Sequence, residues 1–238
     1  MAARRKTASK DTAPPPRRLR PGRWALRAVS AVFIVMVLAV VLFAVVNPRT
    51  NLYMMAEARR LGGVERDWVP FEDIAPVMAR SAVAAEDANF CQHWGFDMRA
   101  IRLAIAQGGN RGASTISQQT VKNVYLWQGR SWLRKVFEAA LTPLVEAAWS
   151  KRRIVEVYLN VAEFDEGVFG VGAAARHYFG VSAAELSATQ AARLAAILPA
   201  PKTRSAARPS DFVRKRAAQI RDGAATIRKD GRADCFES

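Results

Sequence analysis

The hydrophobic pattern divides this chain in two. From Ala28 to Val46 it reads AVSAVFIVMVLAVVLFAVV, without a charge and with Ser30 as its only polar side chain. A helix rises about 1.5 Å per residue, so this run just spans a bilayer core of about 30 Å. Ser30 can bond back to its own helix. Arg4, Arg5, Lys6, Lys10, Arg17, Arg18, Arg20, Arg23 and Arg27 precede the run, against one acid, Asp11. That bias predicts an N-terminus in the cytoplasm and everything after Val46 outside. Trp24 and Tyr53 flank the run as interfacial aromatics. A cleaved signal peptide competes with this reading. The run is long for its h-region, however, and Val45-Val46-Asn47-Pro48 does not resemble an A-x-A site.

Beyond Phe71 the spacing is mostly helical, and no alternating strand stands out. The pattern predicts a first helix from Asp73 to Asp87, with Ile74, Val77, Met78 and Ala85 inward and Pro76 in the tolerant first turn. Glycines at 108, 109 and 112 mark a loop. Ser114 then reads as the N-cap of a helix through Lys122. Ser131 caps a helix carrying Val136, Phe137, Ala140, Leu141, Leu144 and Val145. Ser150 caps another, whose Ile154, Val157, Tyr158 and Val161 fall at i, i+3, i+4 and i+7. Ser182 and Glu185 form a capping box. A helix from Ser187 to Leu198 stops before Pro199 and Pro201. The last helix starts near Ser210, with Val213, Ala217, Ile220, Ala224 and Ile227 on one face. The expected fold class is mainly α, on one N-terminal transmembrane helix. The expected division is a basic cytoplasmic tail (1–27), the membrane helix (28–46), a juxtamembrane linker (47–70) and a single domain (71–238).

Composition narrows the partners. The 238 residues carry a formal net charge of +15, which suits a nucleic acid, an anionic membrane or a phosphate-bearing substrate. Pro14, Pro15 and Pro16 read as part of a solvated arm. Leu52, Met54, Met55 and Leu61, beside Arg59 and Arg60, read either as a headgroup-facing strip or as a plain connector. Cys91 and Cys235 are the only cysteines and have no zinc spacing; they read as two unpaired thiols.

Four polar constellations carry candidate chemistry. Glu86-Asp87 closes an apolar helix, followed by Phe90, His93, Gly95 and Asp97. A carboxylate turned inward there would gain proton affinity, as a general base requires; two solvated helix-end charges are the plainer alternative. His93 alone is more often a structural hydrogen-bonder. Next, a glycine loop leads into Ser114-Thr115-Ile116-Ser117-Gln118-Gln119-Thr120-Val121-Lys122-Asn123. Ser114, Gln118 and Lys122 form one polar stripe at i+4, fit for a sugar or phosphate or merely solvated. No P-loop ending is present. Arg134 and Glu138 are i, i+4 and by default a surface pair. Finally, Lys151-Arg152-Arg153 opposes the dipole preference of a helix N-terminus, a hint of an anion nearby.

In order, Glu86-Asp87-x-x-Phe90-x-x-His93-x-Gly95, Gly112-x-Ser114-Thr115-Ile116-x-Gln118-Gln119, Arg134-Lys135-x-x-Glu138 and Lys151-Arg152-Arg153-Ile154-x-Glu156-x-Tyr158-Leu159-Asn160 resemble the motifs of glycosyltransferase family 51. Gly167-x-x-Gly170, Ala173-Ala174 and Tyr178-Phe179-Gly180 resemble its fifth block. These are the peptidoglycan glycosyltransferases, found alone or as the N-terminal module of class A penicillin-binding proteins. The resemblance covers roughly residues 65–201.

The resemblance implies a lysozyme-like fold, with a helical head and a smaller jaw against the membrane. It implies lipid II and the nascent glycan strand as substrates. The growing chain, on its lipid pyrophosphate, is transferred with inversion to the 4-hydroxyl of lipid II, forming a β-1,4 linkage. Glu86 matches the catalytic base and Glu138 the second essential glutamate. Lys122 and Arg134 match cations at the leaving pyrophosphate, with Lys151 and Arg153 as further candidates. Ser114, Gln119 and Asn123 match substrate-positioning residues. Asp87 and His93 fit a supporting role. No cofactor is required. No metal cage is readable, although a divalent cation, Mg or Mn, is compatible with pyrophosphate departure.

The resemblance places the protein in the bacterial inner membrane, with an extracytoplasmic catalytic domain and divisome or other cell-wall synthesis proteins as compatible partners. The sequence ends at Ser238 and holds no S-x-x-K and K-T-G pair, so polymerisation without peptide cross-linking is expected. A lysozyme-like lytic enzyme is the first alternative; its neutral leaving group needs no cation cluster. A catalytically silent membrane scaffold is the second. Nucleic acid is not an expected partner, because the topology puts the domain outside the cytoplasm and no recognition motif is present.

Overall fold

The computed structural model describes residues 21–108, 112–129 and 131–237. The basic tail at 1–20 and Gly109 lie outside the described residues.

The apolar run forms helix α1, Pro21–Phe43. It starts before the uncharged stretch and ends three residues short of Val46. Its stretch Gly22–Phe43 is long and apolar enough to cross a membrane, and most of its large side chains are exposed.

The expected linker is structured. It contains helix α2, Leu52–Leu61, and a short strand β1, Glu65–Arg66. Asn51 caps α2 by accepting from Met54 N at 2.8 Å, and Gly62 closes it in the left-handed region. Met54 is 3% exposed, so it faces the protein rather than a headgroup layer; Leu52, Met55 and Leu61 are exposed.

A 3₁₀ turn at Phe71–Asp73 precedes α3, which begins at Pro76 rather than Asp73 and runs to Glu86. Pro76 has no N–H to leave unpaired and opens the helix. Helix α4 is Met98–Ala106, capped by Asp97. Helix α5 is Ile116–Tyr125, and its cap is Thr115, not Ser114. Gln118 therefore does not join a polar stripe. It turns back to accept from Thr115 N at 3.1 Å in a capping box.

Helices α6, Trp132–Ala148, and α7, Lys151–Val161, start at the expected Ser131 and Ser150 caps. Helix α8, Val171–Phe179, follows. The Ser182–Glu185 box caps a 3₁₀ turn. Helix α9, Ala188–Ile197, has its own box from Ser187 to Gln190, and α10, Asp211–Lys229, starts at Ser210 as expected. A last turn, α11, spans Asp234–Glu237.

Strands are present despite the lack of alternation. β2, Glu163–Asp165, pairs antiparallel with β3, Val168–Phe169, and β1 pairs parallel with β3 from the other side. Segments of two or three residues are too short to show a period of two. The architecture is otherwise mainly α, as expected. Helices α3, α9 and α10 pack together, and α5 packs against α6 and α7. Between them lie Met78, Phe90, Ile154, Tyr158, Leu159, Leu194 and Ile220, each under 3% exposed.

Cys91 and Cys235 form a disulfide across 144 residues, which corrects the expectation of two free thiols. The bridge fastens α11 to the loop after α3. Around it, Phe236 packs on Phe90, Arg80 Nη1 bonds Glu237 Oε1 at 2.6 Å, and Arg232 Nη1 donates to Ala88 O at 3.0 Å.

Candidate active site

Glu86 ends α3 and points inward, so it is not a solvated helix-end charge. Its Oε2 accepts from Gln119 Nε2 at 2.8 Å. Burial holds its carboxyl above the usual carboxylate range; the Gln119 bond and the more distant Arg216 and Lys122 charges pull the other way without winning. Gln119 is itself held. The fully buried Tyr158 hydroxyl donates to Gln119 Oε1 at 3.4 Å. Burial drives the Tyr158 phenol far up, so it stays a neutral donor.

Asp87 faces the other way and ties the motif loop to α5. Its Oδ2 accepts from Ile116 N at 3.0 Å, at the first residue of the helix, and its Oδ1 bonds His93 Nε2 at 2.8 Å. Thr115 Oγ1 donates to Gly95 O at 2.7 Å. Gly95 has φ +85°, and a Cβ there would stand 2.6 Å from Thr142 Cγ2. The glycine of the first motif thus lets the loop lie directly on α6.

The second glutamate sits among cations. Glu138 is 2% exposed, so the i, i+4 pair is not a surface pair. Arg134 Nη1 bonds Glu138 Oε2 at 2.6 Å, while Lys135 Nζ reaches Glu138 Oε1 and also Ser114 Oγ, the latter at 3.3 Å. Arg134 Nε donates to Gly129 O at 3.0 Å, which aims its guanidinium. Lys122 lines the cavity beside Gln119 and feels the charge of both glutamates. Desolvation pulls its ammonium below the usual lysine range; Glu138 opposes this and Arg134 adds to it.

Two cavities flank the Gln119–Glu86 bond. One, of about 320 Å³, is lined by Glu86, Asn89, Arg99, Leu103 and Ser114. The other, of about 360 Å³, is lined by Gln119, Lys122, Asn123, Tyr158 and the 198–203 loop. Asn123 Oδ1 accepts from Gln128 Nε2 at 3.3 Å on its wall. The structure therefore puts Glu86, Asp87 and Ser114 on one cavity and Gln119, Lys122 and Asn123 on the other, joined by the Glu86–Gln119 bond. Arg134 and Glu138 line neither cavity and are linked to Ser114 through Lys135, and His93 backs Asp87.

Lys151 and Arg153 are engaged elsewhere. Lys151 Nζ bonds Glu146 Oε1 at 2.9 Å and His93 O at 2.8 Å, and lies over the Phe90 ring. Glu146 also accepts from Ser117 Oγ inside α5. Arg153 donates to Phe43 O, Val46 O and Asn47 Oδ1, and pairs with Glu156. The anion near that helix N-terminus is thus protein, in part. Sequence reasoning missed Lys135, Arg216 and the hydroxyl role of Tyr158. Lys135 is a named position of the Arg134-Lys135-x-x-Glu138 motif that was given no role, whereas Arg216 carries no local signal. Among the described residues, no three His, Cys, Asp or Glu side chains converge to hold a metal ion. Glu138 already has two cations, so these residues do not fit a dedicated metal cage.

The arrangement offers a proton acceptor of raised affinity a short way from a group of cations. That suits attack by a hydroxyl at one point and departure of an anion at the other. Comparison with known proteins agrees with the motif resemblance. Residues 54–225 match the family described as Transglycosylase. A relative named biosynthetic peptidoglycan transglycosylase from Jannaschia sp. is 63% identical over 214 residues, covering 90% of each chain. Relatives of the same name from Caulobacter vibrioides and Rhodospirillum centenum are 45% and 46% identical over 213 and 220 residues. They cover 86% and 89% of this chain and 93% and 95% of their own.

Proposed function

This chain belongs to the transglycosylase family, and from that premise we propose that it polymerises peptidoglycan glycan strands from lipid II, with Glu86 as general base. The single observation that carries the assignment is Glu86 itself. It is half-buried, bonded only to a neutral amide, raised in proton affinity, and lines a cavity on one side of the Gln119 bond while Lys122 lines the cavity on the other.

Glu86 takes the proton from the 4-hydroxyl of the acceptor sugar as that oxygen attacks the anomeric carbon of the growing chain. The bond from that carbon to the pyrophosphate breaks, and undecaprenyl pyrophosphate leaves with the electron pair. Attack opposite the leaving group turns an α-linked donor into a β-1,4 linkage. Lys122, Arg134 and Lys135 stabilise charge on the departing pyrophosphate, where fixed donors in a dry site act most strongly. Glu138 holds Arg134 and Lys135 in place. Ser114, Gln119 and Asn123 position substrate, and Asp87 and His93 fix the loop behind Glu86. Lys151 and Arg153 serve the scaffold, because their donors already have acceptors within the protein. A divalent cation at the leaving group would add Lewis-acid charge, with no step above depending on it.

The anchor places the domain on the outer face of the bacterial inner membrane, with its N-terminus in the cytoplasm. Two features support this: the basic residues before α1, and a disulfide, which persists in oxidising compartments. A tethered domain meets lipid-linked substrates at high effective concentration. Divisome or other cell-wall synthesis proteins are the partners such a task calls for. Protease protection of the full chain in intact cells and in spheroplasts checks the topology; cleavage of the domain only after lysis would overturn it.

The reaction is tested with labelled lipid II and the full chain in detergent. Glycan polymer that muramidase degrades is the expected product. Release of soluble muropeptides from purified sacculi, without polymer formation, would instead establish the lytic reading.

A further inference from the structure

A cavity apart from the catalytic cleft lies where the chain leaves its anchor. It has a volume of about 330 Å³, and its walls include Asn47, Arg49, Arg66, Asp67 and Trp68. Its position is fixed by bonds to the outer end of α1. Arg153 donates to Phe43 O at 3.1 Å, to Val46 O at 2.9 Å and to Asn47 Oδ1 at 2.8 Å, and Asn47 is itself a wall of the cavity. Trp149 Nε1 donates to Val40 O at 2.7 Å in the last turn of the same helix. Val45 and Val46 are still apolar and exposed, and polar side chains begin at Asn47. In a bilayer that crossover is the boundary between acyl chains and headgroups, so the cavity opens at headgroup depth.

Its charge is unbalanced. Arg49 and Arg66 are exposed, and neither makes an ion pair among the described residues. Most other arginines near this surface are paired: Arg60 with Glu57 and Glu166, and Arg153 with Glu156. The one acid in the wall, Asp67, accepts from Arg176 Nη1 at 2.8 Å and so has its own cation. Two free guanidinium groups beside an indole wall, at the rim of a bilayer, match a phosphodiester with its glycerol backbone. Guanidinium presents paired N–H donors to phosphate oxygens, and tryptophan is at home against the upper acyl and glycerol region.

We propose that Arg49, Arg66 and Trp68 form a binding site for the phosphate headgroup of an anionic membrane phospholipid. The bound lipid holds the domain against the bilayer at the exit of its anchor. This rests on the membrane-anchored reading above. The site is separate from the catalytic cleft: no residue of its wall lines either cavity beside Glu86.

The test uses the full chain in a neutral detergent, titrated with dihexanoyl phosphatidylglycerol, dihexanoyl phosphatidylcholine or inorganic phosphate and read by calorimetry. Saturable binding of phosphatidylglycerol is expected, tighter than of the zwitterionic lipid. It should weaken roughly tenfold or more in R49Q/R66Q and persist in R49K/R66K, since each surface cation contributes appreciably to anionic-lipid attraction. Circular dichroism and polymerisation rate in detergent should match wild type in both variants, which shows that they fold. Equal phosphatidylglycerol affinity in wild type and folded R49Q/R66Q would overturn the site. Inorganic phosphate binding as tightly as the lipid would overturn the lipid assignment in favour of a free anion. Flotation with phosphatidylcholine vesicles tests the anchor alone. Wild type and R49Q/R66Q should both float if α1 inserts, whatever the headgroup site does.

Discussion

The two glutamates of the site, one half-buried and one buried, stand in opposite surroundings. Glu86 meets one neutral amide, and burial raises its proton affinity. Glu138 meets Arg134 and Lys135 directly and is 2% exposed. One carboxylate is short of compensation and so is suited to take a proton. The other is compensated and so is suited to hold cations. The same side chain is thus given two tasks by what packs around it. Lys122 feels both.

Replacing each glutamate should split the two cases most sharply. Glu86→Gln should lower polymerisation by about 10²–10⁴-fold, the usual worth of a positioned general base. It should also raise the melting temperature at neutral pH. A carboxyl whose proton affinity is raised by folding stabilises the fold below its unfolded titration range, and that contribution is lost as pH rises through the folded one. At neutral pH the ionised form is therefore a cost, which Gln removes. Glu138→Ala should also cost activity but move stability the other way. It leaves Arg134 without its partner in a largely enclosed site, a loss of about 3 kcal/mol, at the low end for a broken buried pair because Lys135 is half exposed. Thermal melts of the two variants side by side check the opposed signs.

The disulfide bears on one side of the comparison only. It fastens the loop that follows Glu86, through Cys91, and touches nothing of Glu138. Cys235→Ser should destabilise by about 2–4 kcal/mol, read from denaturant melts with and without reductant. Unchanged melts would mean the bridge is absent or idle in the protein.

The pH profile follows from the two shifted groups. Activity should fall on the acid side as Glu86 gains its proton, at a pH above the usual carboxylate range. It should fall on the alkaline side as Lys122 loses its proton, at a pH below the usual lysine range. Lys122→Arg should move only the alkaline limb, upward. The smallest effect is expected at Tyr158→Phe. Its bond to Gln119 is long, at 3.4 Å, and losing it should cost only a few-fold in rate, in line with about 0.5–1.5 kcal/mol for a neutral hydrogen bond.

What could be read from the sequence was local. The caps at Ser131, Ser150, Ser187 and Ser210 stand where short-range chemistry puts them, and the i, i+3, i+4, i+7 stripe of α7 is buried. Thr115 beat its neighbour Ser114 because its side chain can bond both Gly95 O and the Gln118 box, a choice made by the packing loop. The ordered motifs placed the cleft residues, but only packing set their surroundings. The last turn of α3 gives no sign of what each carboxylate meets, since α5 supplies Gln119 to Glu86 and Ile116 N to Asp87, and α10 supplies Arg216. Arg153 read as an anion binder because three cations crowd one helix start; its acceptors lie more than a hundred residues earlier. The pairing of Cys91 with Cys235 spans 144 residues and likewise leaves no local trace.

The central claim is that Glu86 is the base because it is the uncompensated glutamate. It is tested most directly by measuring labelled lipid II polymerisation and thermal unfolding together for wild type and Glu86→Gln. Loss of polymer with a raised melting temperature is the predicted result. Polymerisation at the wild-type rate by a folded Glu86→Gln protein would contradict it.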